Sequence, residues 1–151
     1  MTSPVSRYLT DSEDLPLVDL LRRTAIYLAG VEKDLAEKAG LNITAARALA
    51  LIVEADAGVE AFSPRVLADV LDVSTASMTA VTDHLETAGL VERRPNVADR
   101  RKVCLHPTPE GAAAHSRLQE DLGTIVIDAL APLSAGDTDA FRKGLRTLAQ
   151  L

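Results

Sequence analysis

Residues 85–111 of the chain read L-E-T-A-G-L-V-E-R-R-P-N-V-A-D-R-R-K-V-C-L-H-P-T-P-E-G. Gly89 is a typical residue at the end of a helix, and two short strand-like runs then flank the turn-forming P-N-V-A-D. Thr108 followed by Pro109 is a typical helix start. The stretch therefore predicts the end of one helix, a β-hairpin with a basic tip, and the start of another helix.

Positive charge is concentrated in this hairpin. Between Thr87 and His106 five cations face two carboxylates, so the segment carries +3 in a chain whose net charge is −6. The rest of the chain consequently carries −9. This asymmetry predicts a local interaction with a polyanion, which the negative charge keeps away from the other surfaces.

The composition favours a single helical domain. Of 151 residues, 47% are hydrophobic and only 3% aromatic, a balance that favours helix packing over a β-sandwich. Because Cys104 is the single cysteine, an intrachain disulfide cannot form. The N-terminus lacks an apolar leader region, and no apolar run approaches the ~20 residues of a membrane span. We therefore expect a soluble, cytoplasmic protein without a membrane partner.

Two helices are predicted in the first third of the chain. Apolar residues recur at three- and four-residue steps from Leu15 to Ala39, which predicts a long amphipathic helix ending at Gly40. Thr44 is the predicted cap of a second helix, which ends near Asp56. The segment from Val59 to Phe62 is long enough only for a fragment of strand.

A pair of short helices precedes the hairpin. Ser63 and Pro64 form an N-cap and a first helical position, and Ser74 is the predicted cap of the next helix, from Thr75 to about Ala88. Two short helices joined by about three residues are typical of a helix-turn-helix.

The remaining helices complete the predicted fold. After the hairpin a fifth helix is predicted to run to about Leu130, and a sixth to begin at Asp137 or Thr138. We therefore predict a mostly α fold with a small two- or three-stranded β-wing. The order is α-α-β-α-α-β-wing-β-α-α, a winged helix-turn-helix with additional helices.

The helix from Thr75 to Ala88 has the features of a helix that reads a DNA groove. One face is apolar, and the other carries small and hydroxyl side chains that permit close approach to a duplex. Its N-terminus offers free N–H groups to a phosphate. The arginines of the hairpin follow directly. The residues predicted to bind DNA are Ser74, Thr75, Ser77, Met78, Thr79, Thr82, Arg93, Arg94, Asp99, Arg100, Arg101 and Lys102.

These residues have separate predicted roles. The hydroxyls bond base edges or phosphates, and Met78 approaches a thymine methyl with its thioether. Arg101 reaches into the minor groove, and Asp99 pairs with it to shape the tip. No Lys or Arg lies on the helix itself, so base readout relies on hydroxyls, water and DNA shape. The predicted phosphate ligands are Arg93, Arg94, Arg100 and Lys102.

Residues 85–111 resemble the winged-helix segment of MarR-type transcriptional regulators in the G-L-V-E-R-R run, the D-R-R triplet and the T-P-E-G helix start. The order of elements over residues 15–151 resembles that family as well. The resemblance implies a homodimer formed by the first and last two helices, with one helix of each subunit in a major groove and one wing in a minor groove. It implies a helical dimerisation region (14–40 and 108–151) and a winged DNA-binding region (42–107), and the polar character of residues 1–13 predicts a flexible N-terminus.

The resemblance also implies a function. Members of the family commonly repress genes for efflux, detoxification or catabolism, and release DNA when a small, often aromatic anion binds. We therefore expect a ligand-responsive repressor on a pseudo-palindromic operator, with an aromatic or phenolic effector and no other cofactor. Asp99 and Arg101 fall on the family's Asp-x-Arg pair of the wing, whereas Ala80 stands where a basic residue is frequent.

Other interpretations receive less support from the sequence. A cation near Cys104 would favour a redox-active thiolate, but a structural thiol is the favoured interpretation. His84, His106 and His115 lie on separate elements and predict no metal site. Motifs such as G-x-S-x-G or H-E-x-x-H are absent, so no enzyme is predicted. The open alternative is a winged-helix module that only mediates protein interaction and dimerisation, which would not require cations at the tip.

Overall fold

Helices dominate the structure, a computed structural model that describes residues 16–56, 62–96 and 103–150. The elements are α1 (Leu17–Lys38), α2 (Ile43–Asp56), α3 (Pro64–Val70), α4 (Thr75–Thr87), β1 (Val91–Pro95), β2 (Val103–Pro107), α5 (Pro109–Leu130) and α6 (Ala135–Leu148). Helices α3 and α4 form the helix-turn-helix, and β1 and β2 form the hairpin. The predicted mostly α fold with a small β-wing is confirmed.

Short polar side chains and a glycine set the ends of the helix-turn-helix. Ser63 Oγ accepts a hydrogen bond from Val66 N at 3.4 Å, and Ser74 Oγ accepts one from Ser77 N at 3.1 Å, as expected of N-caps. Gly89, just after α4, has a φ of +70°, which residues with a Cβ rarely adopt. The predicted starts of α3 and α4 and the predicted end of α4 are therefore confirmed.

Two predicted helix starts are wrong by a few residues. The cap of α2 is Asn42 rather than Thr44, because Asn42 Oδ1 accepts from Ala45 N at 2.8 Å. The cap of α6 is Ser134, whose hydroxyl accepts from Asp137 N at 3.2 Å, so the helix begins ahead of Asp137. In both cases an earlier side chain satisfies the free N–H groups.

The hairpin is an antiparallel pair of strands. Its register places Arg93 of β1 opposite Leu105 of β2. Leu105 N also donates to Phe62 O at 2.9 Å, which attaches the segment before α3 to β2. Apart from Phe62, the predicted strand fragment at 59–62 lies outside the described residues.

A hydrophobic core joins α2, α3, α4 and the hairpin. Burial of one aliphatic side chain contributes about 1.5–3 kcal/mol to folding. One face of α4 is fixed in this core, so the opposite face is left at the surface. The largest fully buried apolar side chains are Leu49, Ile52, Leu67, Met78, Leu85, Val91 and Leu105.

The start of α5 is held against the turn that follows α4. Thr108 Oγ1 donates to Gly89 O at 2.6 Å and accepts from Gly111 N at 3.0 Å. Gly111 is buried so close to this turn that a Cβ on it would lie 1.9 Å from Leu90 O. The T-P-E-G sequence thus supplies both a capping hydroxyl and a residue without a side chain.

The chain divides into two compact units after Leu118. The second unit contains the remainder of α5 and α6, whose apolar side chains line an open groove of ≈ 500 Å³. The predicted limits of the dimerisation region (14–40 and 108–151) and the DNA-binding region (42–107) remain predictions. Across the described segments, no helix combines the length and the apolar character needed to cross a membrane.

Candidate nucleic-acid interface

Helix α4 presents an exposed face of short side chains. The face is opposite to the buried residues Met78 and Leu85, which fix the orientation of the helix. Side chains this short allow a helix backbone to approach a duplex closely. The exposed residues that lie opposite to this buried stripe are Ala76, Thr79, Ala80, Asp83 and Thr87, as the helical periodicity predicts.

The hydroxyls near the start of α4 are bonded within the helix. Ser74 Oγ and Ser77 Oγ are 2.8 Å apart, and Thr79 Oγ1 donates to Thr75 O at 2.9 Å. A hydroxyl that has donated its proton keeps its acceptor lone pairs. Thr79 is therefore set to accept a hydrogen bond from an amino group, such as N6 of adenine or N4 of cytosine. The exposed hydroxyl side chains at this end of the helix are those of Ser74, Thr75, Ser77 and Thr79.

Two residues predicted to read the groove lie in the core instead. Met78 and Thr82 are both 0% exposed. Thr82 Oγ1 donates to Thr79 O and accepts from Arg93 Nη2, each at 3.0 Å, so its hydrogen bonds are satisfied internally. The prediction that these two side chains contact DNA is wrong, because their spacing places them on the same buried stripe as Leu85.

Arg93 on β1 connects the hairpin to α4. Its guanidinium pairs with Asp83 at 2.6 Å and with Glu86, and it also donates to Thr82 Oγ1 at 3.0 Å. The hydrogen bond with Asp83, and to a smaller extent the charge of Glu86, raises the pKa of Arg93. Strand and helix are thus joined by polar contacts, and one cation serves two carboxylates of α4. The predicted phosphate contact of Arg93 stays untested.

The next cation on β1 has a simpler environment. Arg94 pairs with Glu92 of the same strand, and its side chain is 57% exposed. It is accessible to a phosphate, as predicted, and exchange of one surface ion pair for another costs little. The remaining predicted residues of the wing tip lie outside the described residues and stay predictions: Asp99, Arg100, Arg101 and Lys102.

Cys104 is a buried thiol in β2. Asn96 Nδ2 donates to its sulfur at 3.2 Å. Val103 is exposed, whereas Cys104 and Leu105 are both buried although side chains at adjacent positions of a strand point to opposite faces. Burial agrees with a structural role for the thiol. In the segments that the structure describes, no group of three His, Cys, Asp or Glu side chains is placed to hold a metal ion.

Sequence reasoning missed the contacts of Arg93 and Gly111. Asp83 and Glu86 precede Arg93 by ten and seven residues. A helix that leads through a tight turn into a strand brings residues at such separations together only when the strand packs against the helix, so the spacing alone did not predict these ion pairs. Nothing in the sequence indicates that Gly111 lies close to Leu90, except that a glycine stands in the first turn of a helix.

A helix-turn-helix followed directly by a β-hairpin defines the class of winged helix-turn-helix proteins. Residues 39–102 match the model described as MarR family. A Thauera aromatica protein named for transcriptional regulation of the hcr operon is 40% identical over 58 residues, 38% of this chain and 35% of that protein. The regulator PecS of Dickeya dadantii is 35% identical over 74 residues, 49% and 45% of the two chains. The chain thus covers less than half the length of each of these curated relatives.

Solved structures resemble the chain over most of its length. Wild-type MarR from E. coli in its apo form has a TM-score of 0.74 at 23% identity, over 91% of this chain and 98% of that chain. A MarR family protein of Mycobacterium tuberculosis in complex with salicylic acid has a TM-score of 0.66 at 26% identity, over 90% and 98%. The chain is therefore similar to MarR family winged-helix regulators, in sequence over residues 39–102 and in fold over most of its length. The predicted resemblance to that family is confirmed.

Proposed function

We propose that the protein is a homodimeric, sequence-specific DNA-binding regulator that represses transcription from a pseudo-palindromic operator. The observation that carries the proposal is helix α4, which has one face fixed in the core and exposes short polar side chains on the other. A helix of this kind fits a major groove, and the adjoining hairpin reaches the neighbouring minor groove. A DNA partner also underlies our expectation of a cytoplasmic location.

Cations of the hairpin supply much of the proposed affinity. We assign Arg94, Arg100 and Lys102 to phosphates and Arg101 to the minor groove, with Asp99 shaping the tip. Because α4 carries no Lys or Arg, base readout falls to short polar side chains and to DNA shape. The residues of α4 that we assign to DNA are Ser74, Thr75, Ser77 and Thr79.

Apolar side chains left exposed on the single chain support the dimer. On α1, Leu17 and Val18 are 71% and 63% exposed, and Ile127 on α5 is 69% exposed. Phe141 of α6 lies in the wall of the apolar groove described above. Exposed apolar side chains grouped on particular helices indicate an interface. We assign α1, α5 and α6 to the contact between two copies of the chain.

We propose that a small aromatic or phenolic anion releases the protein from DNA. Support comes from the structural relative that was solved with salicylic acid. Salicylate added to the protein–DNA complex is expected to lower the fluorescence anisotropy of a labelled duplex. Cyclohexanecarboxylate has the same charge without an aromatic ring, so it is expected to have no effect. Equal effects of the two anions would refute an aromatic effector.

Selection of duplexes from a random pool by the full chain tests the proposed function. We expect enrichment of an inverted repeat whose half-sites lie about one helical turn apart, because a two-fold symmetric dimer presents two equivalent α4 helices. No enriched sequence, together with no binding of mixed-sequence DNA, would overturn the proposal. That outcome would favour a winged-helix module that serves only dimerisation.

A further inference from the structure

We propose that Arg93 is a positioning residue, which locks the wing strand β1 onto helix α4 and masks the carboxylates of that helix, rather than a phosphate ligand. This inference rests on the proposed DNA-binding function and specifies how the two DNA-contacting elements are held together. It concerns a residue whose charge and position in the basic hairpin would otherwise assign it to the DNA backbone.

The guanidinium of Arg93 is occupied by groups of the protein itself. Nη2 donates to Asp83 Oδ1 at 2.6 Å and to Thr82 Oγ1 at 3.0 Å, and Nη1 donates to Glu86. Thr82 is fully buried, so one contact of the guanidinium reaches the core. The side chain of Arg93 is only 30% exposed, against 57% for Arg94 on the same strand. Three of its five N–H donors are thus engaged within the protein, and the low exposure leaves little of the group accessible to a phosphate.

The carboxylates that Arg93 binds lie on a helix proposed to enter a groove lined by phosphates. Asp83 is 57% exposed and Glu86 40% exposed, and α4 has no Lys or Arg of its own. Uncompensated carboxylates at this place repel the DNA backbone at short range. Arg93 supplies the compensating charge from the neighbouring strand. The planar guanidinium group, with its donors in a fixed fork, also determines where the strand lies against the helix.

Substitution by lysine separates the two roles of an arginine. Arg93→Lys keeps the charge that a phosphate contact needs, but a lysine ammonium cannot reproduce the planar fork that bridges three acceptors. On a labelled duplex carrying the selected site, we expect Arg93→Lys and Arg93→Ala to lower affinity alike, by about tenfold. Arg47→Lys is the matched control, because Arg47 of α2 pairs with Glu32 and lies outside the proposed DNA contacts, and it should change affinity by less than about twofold. Near-normal binding by Arg93→Lys would show that the planar guanidinium is not needed and would overturn the proposal that Arg93 locks β1 onto α4.

A double-mutant cycle supplies the second test. In an Asp83→Asn/Glu86→Gln background, Arg93→Ala should cost less than about twofold in affinity, because the charged partners are already absent. A phosphate ligand would instead show an undiminished loss there, and the slope of log affinity against log salt would fall by about one unit. Thermal unfolding of the same proteins should show the same pattern. The decrease in Tm for the combined variant should be smaller than the sum of the decreases for Arg93→Ala and for Asp83→Asn/Glu86→Gln.

The outcomes also separate this inference from the proposed function. If the wild-type chain binds DNA and the affinity losses in the double-mutant cycle simply add, the positioning role of Arg93 is overturned while the proposed function stands. A wild-type chain that binds no duplex overturns the DNA-binding function and the positioning role together. Circular dichroism at the titration temperature verifies that every variant is folded, so that a loss of affinity reports on the interface.

Discussion

Gly111 fixes the distance between the start of α5 and the turn before the wing. Any side chain there would place its Cβ 1.9 Å from the carbonyl oxygen of Leu90, a backbone atom that cannot rotate away. We predict that Gly111→Ala destabilises the fold by about 1–3 kcal/mol or more, as overpacking does. Urea unfolding measures the change.

A second glycine provides the control for this prediction. A Cβ added to Gly144, in α6, would meet no atom within 4 Å apart from its chain neighbours and the backbone of its own helix, so Gly144→Ala should raise stability by up to about 1 kcal/mol. Equal unfolding midpoints for the wild type and Gly111→Ala would show that α5 is not packed tightly against Leu90.

Met78 tests whether α4 reads DNA only with its exposed face. Met78→Leu keeps the volume of a fully buried side chain, so we predict a stability change below about 1.5 kcal/mol and an affinity for the selected duplex within about twofold of wild type. Thr79→Val removes an exposed acceptor while keeping its shape, and should lower affinity by about fivefold or more. If Met78→Leu lost as much affinity as Thr79→Val, Met78 would be a DNA contact after all.

Local chemistry decides which single residues can be predicted from the sequence. Ser63, Ser74 and Gly89 were predictable because a helix end is set by the residues at that end. Met78 and Thr82 were assigned to DNA from their chemical type, although burial depends on the elements packed against α4. Side-chain chemistry predicts what a residue can bind, whereas packing determines whether it is accessible.

At the scale of elements, the wing is predicted to carry the salt dependence of binding. Arg94→Ala should lower the slope of log affinity against log salt by about one unit, because one phosphate contact is lost. Arg101→Ala should weaken binding with an equal or smaller change of slope, since a minor-groove arginine releases fewer counterions. Anisotropy titrations over a range of KCl concentrations measure both.

A cation of α6 serves as the control for net charge. Arg142 is exposed and paired with Asp139, so Arg142→Ala removes one positive charge without touching the wing. Its slope should match that of wild type. If Arg142→Ala and Arg94→Ala lowered the slope equally, the effect would come from total charge and not from a wing contact.

Element identity was predictable, but contacts between elements were not. The hairpin and the helices were predicted because periodicity, glycine and capping residues act over a few neighbouring positions. The bridge from Arg93 to Asp83 and Glu86 exists only when β1 docks beside α4. Such a contact depends on tertiary packing, so in the sequence Arg93 looks like any other cation of the basic hairpin.

For the whole molecule, we predict a stable dimer. Ile127→Glu places a charge on an apolar side chain that is 69% exposed in the single chain and proposed to be buried in the dimer, so it should weaken dimerisation by about tenfold or more. Sedimentation velocity at micromolar concentration measures the change. Val70→Glu alters a valine of α3 that is 55% exposed and outside the proposed interface, and it should remain dimeric. A monomeric wild type would remove the basis for a palindromic operator.

Symmetric DNA reading by α4 and the wing is the central claim, and hydroxyl-radical footprinting of the selected duplex tests it most directly. The full chain should protect two minor-groove segments placed symmetrically about the centre of the inverted repeat, where the two wings enter. Arg101→Ala should weaken both protections together. A single one-sided protection, or a footprint that Arg101→Ala leaves unchanged, would contradict symmetric reading by two wings.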